Sequence, residues 1–307
     1  MNQFFIHNNK YYSPYMNVAG NLYQFTSHTF TNGGATGRYG PTSFASVSSY
    51  TSTVWYNDYF SVSSGVQYWY APETRSYLIT VAGAAGQNGY YFNRCRGIIH
   101  TSTVTLIKGM RYKIIIGQKG SVYSNGSGGG GGGTYLLDYF NRPITIAGGG
   151  GGARYSFSSY DTAQISSDGQ IGTSGGNSNC GTGFGGTNGS RGLGSSDGWG
   201  CGGAGLYGNG TEAFYSLSYN YVGKGYRPAH NSEGGATATS AFGGFGGGGG
   251  THGNTGGGGG GGGYSGGGGS NQAFNTTAGG GGGSYSQGTI TVDGYNRNHG
   301  YMIIQAN

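Results

Sequence analysis

The chain has 307 residues, 75 of them Gly, a formal net charge of +6, and only 8% Asp, Glu, Lys and Arg together. Disordered solvating chains are charged and poor in aromatics, so scarce charge beside 15% aromatic residues argues against a floppy tail. The strict Gly-X-Y period of collagen is missing. The basic residues are dispersed, the longest cluster being Arg94-Cys95-Arg96, which argues against a nucleic-acid patch.

In chain order, residues 1–20 are polar and Tyr-bearing and read as an N-terminal arm. Their first ten positions lack a charged segment followed by a long apolar stretch, so no secretory signal is expected. From Leu22 the pattern turns to strands. Phe25–Phe30 alternates with period two and ends in the turn signal Asn32-Gly33-Gly34. Val66–Tyr70 and Tyr77–Ala82 follow, separated by a turn at Ala71-Pro72-Glu73-Thr74. Ser102–Ile107 and Arg111–Ile116 flank Lys108-Gly109-Met110, the pattern of a hairpin or tight connection. Thr134–Leu137 and Ile144–Ala147 pair around Asn141-Arg142-Pro143, and Thr289–Val292 and Tyr301–Gln305 close the chain by returning to the first sheet. No segment holds a helical period over three turns, so the fold class is all-β with very little α-helix. No apolar run is long enough for a membrane span.

Glycine blocks occupy Gly128–Gly133, Gly148–Gly152, Gly246–Gly250, Gly256–Gly263, Gly266–Gly269 and Gly279–Gly283. Two states fit such blocks: flexible linkers, or extended threefold helices that pack backbone on backbone where no Cβ intervenes. Their registration favours the second, because Gly128–Gly133 runs straight into one strand and Gly148–Gly152 straight out of another. In such a bundle Gly128, Gly130, Gly148, Gly150, Gly256, Gly260 and Gly280 are the structural glycines. Ordering each residue costs about 1–2 kcal/mol and a net hydrogen bond returns about 1 kcal/mol. The bundle must therefore lean on the β part and on flanking aromatics, for which Phe184, Trp199, Tyr207, Phe242, Phe245, Tyr264 and Tyr285 are the candidates. Residues 21–307 read as one glycine-rich domain, with a sandwich from 21–147 and 286–307 and the bundle and its loops mainly in 126–133 and 148–285.

Catalytic motifs arise here from composition. Gly181–Gly186 fits the dinucleotide fingerprint but neither follows a strand nor opens a helix. Ser174, Ser196 and Ser265 each sit in a Gly-x-Ser-x-Gly pattern, none at a strand-to-helix turn. The His residues are scattered without metal spacing and the acids form no close pair. No enzyme, cofactor or metal is expected. Three Cys leave two readings open: a Cys180–Cys201 disulfide with one spare thiol, or three unpaired buried thiols.

With these segments in view, the chain resembles the glycine-rich extracellular domain of the anaplastic lymphoma kinase and leukocyte tyrosine kinase family. The resemblance runs through Phe30–Thr42, Gly65–Thr74, Tyr77–Gly86, Ile114–Gly120, Gly128–Tyr135, Ile144–Gly152 and Gly256–Tyr264, in family order. It implies a tumour-necrosis-factor-like β-sandwich with an inserted bundle of polyglycine-II helices, a module similar to those of phage and microbial surface proteins. Receptor signalling is not carried over, because the chain shows no kinase domain and fewer Cys.

The functional expectation is a virion surface or tail protein, a rigid adhesin-like module for host recognition. Tyr-rich loops supply contact area at low entropy cost, and Tyr155, Phe157, Tyr160, Tyr215, Tyr219, Tyr221 and Tyr226 are the candidate contact residues. Expected partners are other virion proteins through the arm and a host surface glycan or protein, with homo-oligomerisation, as a trimer in related sandwiches, but no nucleic acid and no membrane insertion. The alternatives are a purely structural capsid-decoration or fibre component, and an extracellular matrix or signalling module.

Overall fold

The computed structural model describes residues 5–7, 10–12, 20–87, 95–122, 126–154, 167–179, 182–196, 198–213, 225–236, 241–252, 256–271 and 277–307. In the arm, β1 (Phe5–His7) pairs antiparallel with β2 (Lys10–Tyr12). The remaining strands are β3 (Ser27–Phe30), β4 (Phe60–Ser63), β5 (Val66–Tyr70), β6 (Arg75–Ala82), β7 (Gly97–Leu106), β8 (Arg111–Ile115), β9 (Thr134–Leu137), β10 (Pro143–Ala147), β11 (Tyr285–Ser286), β12 (Thr291–Asn296) and β13 (Tyr301–Ala306). They form a six-stranded sheet in the order β11-β10-β9-β8-β5-β4 and a five-stranded sheet in the order β12-β7-β6-β13-β3, every pairing antiparallel. The fold is an all-β sandwich. Among the described residues the helical elements are short: α1 (Ser48–Thr51), α2 (Tyr56–Tyr59) and a 3-10 turn at Pro228–His230.

Alternation builds the sandwich core. β7 buries every second side chain along much of its length, as a strand with one buried face must. Trp69, Tyr112, Ile114 and Leu136 of one sheet meet Phe30, Ile79, Val81, Ile98 and Ile304 of the other, all fully buried or nearly so. One end is closed by Phe44, Tyr50 and Trp55, with Tyr50 Oη donating to Gln67 Oε1 at 2.9 Å and accepting the Thr31 N–H at 2.8 Å. β9 breaks the alternation, with all four residues buried. The outer face of its sheet carries a second apolar cluster, Val66, Ile115, Tyr135, Leu137 and Ile146, packed with Leu206 and Phe245 of the glycine-rich part.

The connection at Lys108–Met110 is tight but is not a hairpin. β7 pairs with β6 and β12, whereas β8 pairs with β5 and β9 in the opposite sheet. The turn therefore crosses the sandwich, held beside the β5–β6 crossing by Gly109 N–H to Ala71 O (2.9 Å) and Ala71 N–H to Met110 O (3.2 Å). A Gly turn between two alternating segments serves a hairpin and an arch alike, and only the choice of strand partner separates them. β4 and the two short helices gave no period long enough to be read from sequence.

Strand β6 runs on into 83–87 and β8 into 116–122; β9 is entered from 128–133, β10 leaves into 148–154, and β11 is entered from 278–284. Because β8, β9, β10 and β11 alternate in direction, these extensions leave the sandwich at one end and become the bundle.

Candidate functional site

The bundle is built from hydrogen bonds that repeat every third residue. Gly128 and Gly131 donate to Ala153 and Gly150; Gly129 and Gly132 donate to Ser121 and Gln118; Gly130 and Gly133 donate to Gly249 and Gly246, all at 2.8–3.0 Å. Three residues per turn, each facing a different neighbour, is the signature of the extended threefold helix. Segment 256–264 lies at the centre. Its N–H groups reach three neighbours, Gly128/Gly131, Cys201/Ala204 and Gly280/Gly283. Its carbonyls accept from three more, Gly149/Gly152, Gly249, and Gly267/Ser270. Backbone polarity buried this deeply has to be paired, and here it is paired in every direction around the axis.

All seven structural glycines named above are buried. A Cβ on Gly130 would land on the Gly260 carbonyl, on Gly260 on that of Gly267, and on Gly280 on that of Gly176. Gly128, Gly148, Gly150 and Gly256 would meet the carbonyls of Gln87, Gly282, Cys95 and His252 in the same way. Of the flanking aromatics, Phe245 is 1% exposed and Trp199, Phe242, Tyr264 and Tyr285 are half-buried. Phe184 departs from the support role expected of it, at 54% exposure, whereas Tyr207, though 56% exposed, lies over Gly189 and edge-on to Tyr264 at 6.5 Å. Tyr135 ties strand to bundle, its hydroxyl lying 3.2 Å from Gly246 O and 3.1 Å from Gly263 O.

The contact candidates Tyr155, Phe157, Tyr160, Tyr215, Tyr219 and Tyr221 lie outside the described residues. Tyr226 is half-buried, with its N–H donating to Glu233 O at 2.8 Å. Cys180 also lies outside them; Cys201 is buried, and its Sγ accepts the Ala213 N–H at 3.3 Å. Cys95 is a buried free thiol whose ionisation is pushed far up, first by burial and then by the nearby Asp168 carboxylate. No group of three His, Cys, Asp or Glu able to hold a metal occurs among the described residues. Of the motif serines, Ser174 and Ser196 are exposed, and Ser265 Oγ accepts the Gly189 N–H at 3.0 Å inside the bundle.

Beside Tyr226 the fold makes a surface cavity of about 340 Å³ whose lining includes Arg191, Tyr207, Asn209, Arg227 and His230. Arg227 is set by two bonds: its Nη1 donates to Tyr207 O (2.8 Å) and its backbone N–H to Asn209 Oδ1 (3.0 Å). Asn209 Nδ2 lies 3.0 Å from His230 Nδ1. The Pro228–His230 turn also borders a second cavity of about 250 Å³, lined among others by Ser63, Tyr68, Lys113 and Asn141. There Lys113 Nζ donates to Asn141 Oδ1 at 2.7 Å, and Arg111 lies over the Tyr68 and Tyr139 rings at 4.9 Å. Burial first, then Arg111, holds the Lys113 ammonium below its ordinary pKa. Sequence reading missed the first cavity. Its residues sit in three separate stretches of low-complexity chain, and only the packing of the glycine segments gathers them.

No helix among the described residues is long and apolar enough to cross a membrane. No family model matches the chain. The leukocyte tyrosine kinase receptor of Mus musculus is 35% identical to it over 98 residues, which is 30% of this chain and 11% of that receptor. The chain thus spans about a ninth of the length of the curated relative it matches, and the similarity is a partial one.

Proposed function

We propose that this chain is a rigid recognition module that works outside the cell, displayed on a virion surface or tail and binding a host surface glycan or protein. The observation that carries the reading is the glycine bundle. Its main chains are cross-linked in every direction around the 256–264 axis, so it holds its surface loops on a stiff base. Loops on a rigid scaffold are where binding residues concentrate. The partial likeness to a receptor is in keeping with display to the exterior. In this reading the N-terminal arm docks to the particle and copies of the chain associate, as a trimer in the arrangement we favour.

The test is binding of the purified full chain to intact cells of candidate hosts, together with removal of the protein from the particle. Saturable cell binding, with particles that remain intact but fail to attach, is the expected result. Particles that fall apart, with no cell binding by the chain, would instead assign the stiffness to a structural strut, a capsid-decoration or fibre component. Binding to cells without any association with particles would give an extracellular matrix or signalling module.

A further inference from the structure

We propose that the cavity around Arg191, Tyr207, Asn209, Arg227 and His230 binds an acidic saccharide, the acid group held by the two guanidinium groups and the sugar ring laid on Tyr207. The inference names a ligand class for the recognition reading above and rests on it for biological use, though not for its chemistry.

The hydrogen bonds fix what the cavity offers. Asn209 Oδ1 accepts the Arg227 backbone N–H, so the other end of the amide, Nδ2, is the donor toward His230 Nδ1. With Nδ1 accepting that bond, the imidazole carries its N–H on Nε2. The ring nitrogen left for a ligand is therefore a donor. Arg191 is exposed and adds a guanidinium, which has donors only. Arg227 spends one nitrogen on Tyr207 O, which orients its planar fork. Among the described residues no carboxylate belongs to the lining. A site made of donors, two of them permanently cationic, complements an acceptor-rich anion, and Arg–carboxylate pairs are among the stronger charge-assisted bonds.

Tyr207 selects a saccharide over a bare anion or an acidic peptide. Its ring lies over Gly189, where φ is +81° and a Cβ would strike the ring, and its N–H donates to Gly189 O at 2.9 Å. So held, the ring remains 56% exposed beside the cationic groups. A fixed, flat apolar face next to convergent polar donors suits a pyranose, whose ring has an apolar face and acceptor oxygens at its rim. The volume stands at the lower end of the roughly 300–1,000 Å³ typical of ligand pockets, room for a sugar and its acid group.

The experiment is calorimetric titration of the purified full chain at physiological salt with polysialic acid (carboxylate), heparin oligosaccharide (sulfate), dextran (neutral) and polyglutamate (acidic peptide). Saturable binding of at least one acidic saccharide and none of dextran is expected, and the first two arms tell carboxylate from sulfate. Arg191→Gln, at an exposed position that leaves the fold alone, should weaken that binding roughly ten-fold or more. Tyr207→Ala should weaken it while leaving weak inorganic sulfate binding unchanged. Arg75→Gln, on the sandwich beside Glu73, should change nothing. Failure to bind either acidic saccharide, equal binding of dextran, binding indifferent to Arg191→Gln, or polyglutamate binding as tightly as the saccharides would each overturn the site. The two readings fail separately. Cell binding unaffected by Arg191→Gln leaves the recognition reading and removes this site; Arg191-dependent saccharide binding by a chain that ignores cells does the reverse.

Discussion

At the scale of single residues, glycine here is chosen for the absence of a side chain rather than for freedom of φ. Gly260 is buried with its Cα facing the Gly267 carbonyl, and its N–H donates to Cys201 O at 2.9 Å. Gly260→Ala has no flexible neighbour to move aside, so it must spread the helices and lose several bonds at once. It should destabilise the protein by about 3 kcal/mol or more, at or beyond the upper end of ordinary overpacking. Gly172→Ala is the matched control, because Gly172 is exposed with nothing near its absent Cβ. It should shift stability by no more than about 0.5 kcal/mol, and denaturant melts of the two variants check both. His28 makes a second residue-scale prediction. Its ring sits among Phe30, Tyr50 and Trp55 at 4.6–4.8 Å, its Nε2 is unpartnered, and burial pushes its pKa down from 6.5 to about 4. The unfolded chain then binds a proton that the folded chain refuses between those values. Stability is complete above pH 6.5 and falls as the pH drops toward 4, by roughly 3 kcal/mol from this group. His100, His252 and His299 are shifted down as well, each chiefly by burial. Thermal melts across this range should show the loss, and His28→Leu should flatten part of it.

At the scale of elements, strands and glycine helices are continuous rather than joined by linkers. A strand bonds to two neighbours in one plane, whereas a threefold helix reaches neighbours on every side. The chain changes from one to the other where side chains give way to glycine, as at Gly133–Thr134 and Ala147–Gly148. Tyr135 locks this change of geometry from inside the six-stranded sheet. Its single O–H is shared between Gly263 O (3.1 Å) and Gly246 O (3.2 Å), and Gly246 O also accepts the Gly133 N–H. Tyr135→Phe keeps the ring packing and removes the lock. It should cost about 1–3 kcal/mol, the range for leaving a buried acceptor unpaired. The loss should appear as faster amide exchange in 246–248 and 262–264, with exchange in β6 and β7 unchanged.

At the scale of the whole molecule, the sandwich and the bundle share the outer apolar face of one sheet, where Val66, Ile115, Tyr135, Leu137 and Ile146 meet Leu206 and Phe245. Neither part can open without exposing that face. Unfolding should therefore be a single cooperative transition, seen alike by the backbone signal and by Trp fluorescence from Trp55 and Trp69 in the sandwich and Trp199 in the bundle. Two separated transitions would show that the bundle stands by itself. A stiff base of this kind also explains how a surface cavity can be assembled from low-complexity chain. Arg191, Tyr207 and Arg227 are brought together by three glycine-rich segments, each fixed along its length by backbone bonds.

The sequence by itself determined the strand segments Val66–Tyr70, Tyr77–Ala82, Thr134–Leu137 and Tyr301–Gln305, because short β-branched and aromatic runs bounded by turn or glycine signals are local features. It also determined that the glycine blocks meet strands at fixed points, because the junctions Gly133–Thr134 and Ala147–Gly148 are written as abrupt changes in side-chain size. Only the tertiary structure decided which strands pair, and hence that the Lys108–Met110 connection, a hairpin or a tight connection by its sequence, is a tight crossing between sheets. It alone decided which glycine segment neighbours which, and hence that Arg191, Tyr207, Asn209, Arg227 and His230 share a cavity. The physical reason is the same in both cases. Backbone hydrogen bonds are chemically identical from one residue to the next, so a run such as 256–263 specifies that it will bond to neighbours but not to which ones. That choice is made by the few side chains, Tyr135, Leu206 and Phe245 foremost, that fit in one arrangement of the whole.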